Sequence, residues 1–179
     1  MTRVVLSIGS NIGDRLARLQ SVLDRLGDAV IAVSPVYETA AWGGVEQGPF
    51  LNAVVIAEDA RLDGHGWLHC AQEMEVAANR VRGQKWGPRT LDVDLVSCHL
   101  TSLEGDSELF SLEDGLTLPH PLAHLRAFVL IPWLAIDPDA ELTVAGGKQP
   151  IAKLIAELDP ADRAGVRHTD FVLEPRTES

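Results

Sequence analysis

Hydrophobic and polar positions follow two different periods along the chain, and these periods predict where strands and helices lie. The segment Arg3 to Ile8 is rich in β-branched residues and ends at Gly9, a pattern typical of a buried strand. Positions 10, 11 and 14 then offer N-cap candidates for a helix. Helical spacing follows in Leu16, Leu19, Leu23 and Leu26. Gly27 then stands where a glycine commonly ends a helix. The first unit is therefore predicted to be strand, turn and helix.

Three more strands and a second helix are predicted in the next part of the chain. The strands are Val30 to Glu38, Phe50 to Glu58 and Thr90 to Cys98, the helix is Gly64 to Arg82, and a glycine-rich loop spans Thr39 to Pro49. Pro35 indicates an edge position or a bulge in the second strand. The order β-α-β-β-α-β is that of the ferredoxin-like split βαβ sandwich, an α+β fold. Two helices should cover one face of an antiparallel sheet and leave the other face for further elements or a ligand.

The C-terminal half is predicted to add helices to this sandwich. Residues 99–116 are polar and acidic, which favours a surface excursion. A strongly apolar run from Leu125 to Ile136 predicts a third helix, in which Pro132 indicates a kink or a later start. Ile151 to Leu158 predicts a short final helix. Residues 1–160 should thus form a single domain, followed by a loosely ordered C-terminal extension at 161–179.

Composition narrows the classes of function. The 179 residues suit one domain, and the net charge of -11 argues against general nucleic-acid binding, which depends on neutralising phosphates. The sequence has no apolar stretch of about 18 residues and no signal-peptide pattern at its start, so we expect no membrane association and a cytoplasmic location. The spacing of Cys70 and Cys98 matches no metal-ligand or redox motif, which favours two reduced thiols.

The basic residues are unevenly distributed within this acidic chain. Four of them occupy a ten-residue window without any acid, namely Arg80, Arg82, Lys85 and Arg89. Such a local cluster indicates either a site for a small polyanionic ligand or a solvated basic helix end.

A pair of aspartates follows this cluster directly. Side chains alternate along a strand, so Leu91, Val93 and Leu95 should face the helix-covered core while Asp92 and Asp94 share the other face. Their carboxylates could simply meet solvent, or they could hold a hard cation such as Mg²⁺. The arginines nearby favour the second alternative, because phosphoryl transfer needs both metal ligands and cationic donors. The chain lacks the P-loop motif.

Other candidates are aromatic and amide side chains. Phe50 and Asn52 share one strand face, which the predicted strand order permits to be that of the aspartates, and together they could stack on and hydrogen-bond a flat heterocycle. Ordinary packing of Phe50 is the alternative. His120 lies between two prolines, where it could hold a phosphate or simply lie at the surface, and Arg126 and Phe128 follow closely.

Taken together, these residues resemble the 6-hydroxymethyl-7,8-dihydropterin pyrophosphokinase family, also named 2-amino-4-hydroxy-6-hydroxymethyldihydropteridine diphosphokinase. The resemblance covers roughly residues 2–158. Its most specific part is the stretch from Arg80 to Asp94, which reads Arg-Val-Arg, two further residues and then Lys-Trp-Gly-Pro-Arg-Thr-Leu-Asp-Val-Asp. Further agreement comes from residues 9–11, 50–53 and 118–120, with Arg126 and Phe128.

The resemblance implies a transferase of folate biosynthesis that moves pyrophosphate from ATP to the pterin hydroxymethyl group and releases AMP. It implies two Mg²⁺ ions at Asp92 and Asp94, which with Arg82 and Arg89 form the catalytic set. The implied ATP-binding residues are Glu75, Arg80, Arg82, Trp86, Arg89, His120 and Arg126. The implied pterin-binding residues are Thr39, Trp42, Phe50, Asn52 and Phe128. A monomer is expected on the same basis.

Some positions depart from the commonest family pattern, and other functions stay open. Phe50 stands where tyrosine is common, Ala40 and Ala41 replace a frequent pair of prolines, and Lys85 replaces an arginine. A different metal-dependent nucleotidyl or phosphoryl transferase is one alternative. A binding module that senses a small ligand without turnover is another, because related folds serve both purposes.

Overall fold

An antiparallel sheet of seven strands forms the centre of the protein in a computed structural model, which describes residues 1–40, 48–78, 90–113 and 115–176. Its strands are β1 (Thr2–Ser10), β2 (Val30–Val33), β3 (Tyr37–Thr39), β4 (Phe50–Asp59), β5 (Asp92–Ser102), β6 (Gly105–Glu108) and β11 (Arg167–His168). Along the sheet the order is β11-β3-β4-β1-β5-β6, and β2 also pairs with β4. The mixed α/β architecture with an antiparallel sheet is therefore confirmed.

Helices and two small hairpins surround the sheet. The helices are α1 (Arg15–Leu26), α2 (Gly64–Ala77), α3 (Ala127–Ile136), α4 (Ile151–Ala156) and α5 (Pro160–Ala164). The hairpins pair β7 (Ser111–Glu113) with β8 (Leu116–Leu118) and β9 (Glu141–Val144) with β10 (Gly147–Pro150). None of the described helices is long and apolar enough to cross a membrane.

The first helix begins and ends where the sequence predicts. The side chain of Asp14 accepts a hydrogen bond from the Ala17 N–H at 3.1 Å, which satisfies one of the unpaired donors at the helix start. Gly27 follows the last helical residue with φ of 53°, a conformation that costs glycine little. Capping at both ends therefore confines α1 to its twelve residues.

One face of the sheet carries the larger core. Inward residues of the central strands, such as Leu6 and Val55, pack there against α1 and α2, where Leu23 and Trp67 are fully enclosed. The indole N–H of Trp67 donates to Thr2 Oγ1 at 2.9 Å, so this large ring is buried without losing its hydrogen bond. The predicted two-helix cover of one face is confirmed.

The opposite face is also covered over part of its area. Val54 and Val96 belong there to a second apolar cluster with Leu130 and Trp133 of α3 and residues of α4. Because both faces of β4 are buried, its sequence is a continuous apolar run instead of an alternating one. The cover by α3 ends near the carboxyl end of β1, where polar side chains take over.

Three predicted segments differ from the structure. The predicted second strand divides into β2 and β3, because the chain breaks at Ser34 to Val36 around Pro35, and the Ser34 hydroxyl accepts the Val54 N–H at 2.9 Å. The predicted surface excursion at 99–116 remains at the surface but consists largely of strands, β6 to β8 and the end of β5. The third helix begins at Ala127, two residues late, with Pro132 inside it.

The expected loosely ordered extension is corrected for residues 161–176. Following α5, the chain forms β11, which pairs with β3 at the edge of the sheet. Leu173 is then buried in the larger core, with only 3% of its surface exposed. The sequence did not predict this docking because the pairing joins segments far apart along the chain.

Leu173→Ala should lower the free energy of unfolding by about 2–4 kcal/mol, because it removes a buried side chain and leaves a cavity. Chemical denaturation followed by circular dichroism would measure this change. The adjacent Val172→Ala is the matched control, since Val172 is 70% exposed and should change stability by at most about 0.5 kcal/mol. Equal effects of the two substitutions would contradict the docked tail.

Candidate active site

A row of three residues crosses the central strands on the sheet face that α3 partly covers. Gly9 of β1 pairs with Asn52 of β4 on one side and with Asp92 of β5 on the other. Asn52 and Asp92 are thus separated by two strand spacings, roughly 9.5 Å. The sequence-based expectation that these residues share one face is confirmed, and Gly9 lies between them.

Because Gly9 has no side chain, the Asn52 amide and the Phe50 ring can lie close to its backbone. A Cβ atom placed there would lie 3.0 Å from Asn52 Oδ1 and 3.5 Å from Phe50 Cδ1. The first distance is tighter than most contacts of real side chains, so a methyl group at this position would require the Asn52 amide to shift by a few tenths of an ångström. The sequence predicted Gly9 as the end of a strand and as part of the stretch 9–11 that resembles the family, without a role in the site. Gly9 lies two residues after Ser7 on β1, and residues two apart on a strand point to the same face of the sheet. This spacing is the signal that could have placed Gly9 on the site face.

Asn52 is held in a fixed orientation beside Gly9. It is 3% exposed, and its side-chain N–H donates to Thr39 Oγ1 at 2.7 Å. Thr39 itself is buried and pairs across the strands with Phe50. The structure thereby brings together three of the five predicted heterocycle-binding residues, in a contiguous patch with an aromatic ring and an oriented amide.

The two aspartates lie on the predicted side of β5. Leu91, Val93 and Leu95 are buried in the larger core, as expected from strand alternation, so Asp92 and Asp94 face the other way. Asp94 has 41% of its side chain exposed, and its Oδ2 lies 3.9 Å from the Arg126 Nη1. The carboxylates are therefore accessible while still fixed on a rigid strand.

Arg126 is the cation nearest to this pair among the described residues. It occupies the N-cap position of α3 with 12% of its side chain exposed, and its guanidinium lies 5.6 Å from the centroid of the Phe128 ring. Burial lowers the pKa of Arg126, and the carboxylates of Asp94 and Asp92 oppose that shift. A positive charge is thus held by the aspartates and an aromatic face, beside the positive end of a helix dipole.

His120 is fixed at the same end of the sheet. Its backbone N–H donates to the Val96 carbonyl at 2.8 Å, and its ring Nδ1 accepts the Leu122 N–H at 3.1 Å. Burial, and secondarily the charge of Arg126, lowers the pKa of His120 to about 4. The ring is therefore neutral at pH 7, and because Nδ1 accepts, the proton must be on Nε2.

Glu75 occupies a different position from the other candidates. It is buried on α2, the helix that packs against the opposite face of the sheet, and its Oε2 accepts the Val93 N–H at 3.2 Å. This bond ties the helix to the strand that carries the aspartates. Its implied contribution to a nucleotide site stays a prediction, and Trp42, Arg80, Arg82, Trp86 and Arg89 lie outside the described residues.

The aspartate pair fits Mg²⁺ as a donor set. Magnesium prefers oxygen ligands and is commonly held by one or two carboxylates, with water and substrate phosphates completing its shell. Within residues 1–40, 48–78, 90–113 and 115–176 no group of three or more His, Cys, Asp or Glu side chains could hold a metal. Asp92 and Asp94 would supply two of the oxygen ligands of such a cation.

Sequence comparison agrees with this arrangement of side chains. Residues 5–138 match the family model described as 7,8-dihydro-6-hydroxymethylpterin-pyrophosphokinase (HPPK). The 2-amino-4-hydroxy-6-hydroxymethyldihydropteridine pyrophosphokinase of Mycobacterium tuberculosis (strain ATCC 25618 / H37Rv) is 66% identical over 168 residues, which cover 93% of this chain and 89% of that protein. The protein of the same name from Mycobacterium leprae (strain TN) is 62% identical over 181 residues, covering 100% of this chain and 95% of that protein.

Solved structures show a likeness of fold at low sequence identity. Plasmodium falciparum HPPK-DHPS wild type with STZ-DHP superposes with a TM-score of 0.61 at 13% identity, over 87% of this chain and 43% of that chain. The structure of the same wild-type protein with pterin and p-hydroxybenzoate gives a TM-score of 0.59 at 13% identity, over 88% of this chain and 42% of that chain. The chain thus spans less than half of those Plasmodium chains. From the match over residues 5–138 and the identity to the mycobacterial proteins, the chain belongs to the 7,8-dihydro-6-hydroxymethylpterin-pyrophosphokinase family of transferases.

Proposed function

We propose that this protein transfers a pyrophosphoryl group from ATP to the hydroxymethyl group of 6-hydroxymethyl-7,8-dihydropterin, with Mg²⁺, in folate biosynthesis. The observation that carries the proposal is the row Asn52, Gly9 and Asp92, which sets an amide suited to a heterocycle and a carboxylate suited to a cation on either side of Gly9. The names of the mycobacterial relatives support the same substrate.

The heterocycle side of the site consists of Asn52 and two aromatic residues. An amide that donates one N–H to Thr39 still has a second N–H and a carbonyl oxygen, which together can meet a donor and an acceptor on a pterin edge. Phe50 and Phe128 supply the flat apolar surfaces on which such a ring stacks. The strand order around this patch also supports describing the fold as ferredoxin-like.

The phosphate side consists of the aspartates, Arg126 and His120. When bound at Asp92 and Asp94, Mg²⁺ neutralises charge on the phosphates of ATP. Arg126 is already held in place by Asp94 and Phe128, so it offers a positive charge without rearrangement. His120 offers a neutral Nε2–H donor, which suits a phosphate oxygen without adding further charge to the site.

The reaction exchanges one P–O bond for another. The pterin hydroxyl oxygen bonds to the β-phosphorus of ATP, and the bond from that phosphorus to the α,β-bridging oxygen breaks. AMP leaves with the bridging oxygen, and the hydroxyl proton passes to solvent. Catalysis of this kind rests on positioning and charge stabilisation, so it needs no strong protein base. We further propose that the enzyme acts as a monomer in the cytoplasm.

The identity of the nucleotide product tests this function. Purified protein should convert ATP to AMP with Mg²⁺ only when the reduced hydroxymethylpterin is present, as followed by chromatography of the nucleotides. Formation of ADP or free pyrophosphate would instead indicate another phosphoryl or nucleotidyl transferase. Binding of both ligands without turnover would indicate a sensing module, and either result would overturn the proposal.

Asp94→Ala should lower turnover by at least about 10³-fold, because it removes one of two carboxylates that hold the metal and also releases Arg126. Steady-state rates of AMP formation measure the effect. Asp106→Ala on β6 is the control, since it removes an exposed carboxylate from the edge strand of the sheet and should leave turnover unchanged. Unaltered turnover in Asp94→Ala would remove the metal assignment.

Gly9→Ala should raise the KM for the pterin about tenfold, the loss expected when the new methyl group displaces the Asn52 amide from a hydrogen bond to the substrate. The KM for ATP should change little because the clash lies on the heterocycle side of the row. Gly64→Ala is a matched control, since a Cβ there meets only ordinary contacts at 3.5 Å. A normal pterin KM in Gly9→Ala would show that the close approach of the Asn52 amide to Gly9 does not matter for pterin binding.

His120 should remain neutral, with its proton on Nε2, down to a titration midpoint near pH 4, because burial disfavours the charged ring. Long-range ¹H–¹⁵N NMR of the imidazole reports both the tautomer and the midpoint. Arg126→Ala should move the midpoint upward but not restore it fully, since the charge of Arg126 is the smaller cause. An Nδ1-protonated ring, or a midpoint near 6.5, would contradict the described environment of His120.

A further inference from the structure

The row that contains the candidate site extends to the far edge of the sheet. Asn52 pairs with Tyr37 of β3, and Tyr37 pairs with His168 of β11. Five strands therefore contribute His168, Tyr37, Asn52, Gly9 and Asp92 in one line. The C-terminal segment thus belongs to the same line of residues as the amide and the carboxylate of the site.

Three consecutive residues at β11, 167–169, each contact one of the three residues 36–38 at the start of β3. Arg167 Nη2 lies 3.0 Å from Glu38 Oε1, and the His168 ring meets Tyr37 edge-on with centroids 5.4 Å apart. Thr169 donates twice to the Val36 carbonyl, from its backbone N–H at 3.1 Å and from its hydroxyl at 2.7 Å. The three contacts fix β3 immediately before Thr39.

The segment after β11 is anchored to the body of the protein. Gln20 of α1 donates to the Glu174 carbonyl at 2.7 Å and accepts the Glu174 N–H at 3.0 Å. Leu173 is buried in the larger core, and Arg176 forms an ion pair with Asp24 at 3.2 Å. We call residues 167–176 the C-terminal strap.

The strap acts on the strand that orients Asn52. Strand β3 has only three residues, and without β11 it would be a short edge strand paired on one side alone. Glu38 also accepts from Arg15 at 3.2 Å, and the same arginine nitrogen donates to the Pro49 carbonyl at 3.0 Å, directly before Phe50. Glu38 therefore joins the strap to the start of β4, while Thr39 joins β3 to the Asn52 amide.

We propose that Arg167 and His168 are positioning residues for heterocycle recognition. This inference rests on the proposed pterin substrate. The strap fixes Tyr37 and Glu38, which keeps Thr39 in place to orient Asn52 and keeps Phe50 aligned with it. Three strands separate His168 from Asp92 along the row, so the strap serves the pterin side of the site and leaves the phosphate side unaffected.

The test compares pterin and ATP in full-length variants. His168→Ala and Arg167→Ala should each raise both the pterin KM and the pterin Kd about fivefold, as expected if the competent arrangement falls to about a fifth of the molecules. The KM for ATP and kcat should stay within about twofold, since the phosphate side is untouched. Titration calorimetry gives the Kd independently of turnover.

Two further variants separate positioning from general stability. His168→Phe keeps a ring against Tyr37 and should restore the pterin Kd. Arg61→Ala removes an exposed ion pair with Asp59, at the end of β4 opposite Phe50 and outside the strap, and should leave the pterin Kd as in the wild type. Thermal unfolding of each variant shows whether any loss of affinity follows a loss of stability.

Several results would overturn the inference. These are an unchanged pterin Kd in both alanine variants, an equal loss for ATP and pterin that tracks the unfolding temperature, and a failure of His168→Phe to restore binding. If the wild-type protein neither binds the pterin nor makes AMP, the proposed function falls and this inference with it. A fully active wild type with unaffected variants overturns the inference alone.

Discussion

The pairing of β1 with β4 on one side and β5 on the other is the constraint on which the site depends. Both pairings are antiparallel and in continuous register near the carboxyl end of β1, so a one-residue slip would turn Asn52 or the aspartates into the core. Apolar side chains on both faces oppose such a slip, because it would bury polar groups and expose leucines and valines. The packing that stabilises the fold therefore also sets the distance between the two sides of the site.

Local sequence patterns predicted much of this arrangement. The alternation of Leu91, Val93 and Leu95 with the aspartates identified the correct face of β5, since the side-chain period of a strand is fixed. Helical spacing and a glycine cap located α1. Local patterns could not predict which strand pairs with the edge strand β3. The pairing of Arg167 with Glu38 joins positions 129 residues apart and has no local signature. The short hairpin of β9 and β10 was missed for want of a strong apolar alternation.

The protonation state of His120 and the role of Gly9 also could not be predicted from local patterns. The sequence shows His120 between two prolines, but its tautomer follows from a turn that brings the Leu122 N–H to the ring, and its low pKa follows from burial beside Arg126. Gly9 likewise owes its importance to a neighbour on another strand. Properties set by residues distant in sequence become visible only when the strands are assembled.

The strap also has a consequence for how the protein is made. Chains are synthesised from the N-terminus, and domains begin to fold as they emerge. Strand β3 leaves the ribosome more than a hundred residues before β11, so the edge beside Tyr37 cannot be completed until β11 has been translated. Such distant pairings are slow to form because a long loop must close first. A chain truncated near its end would carry every residue of the predicted site yet lack the strand that closes its sheet.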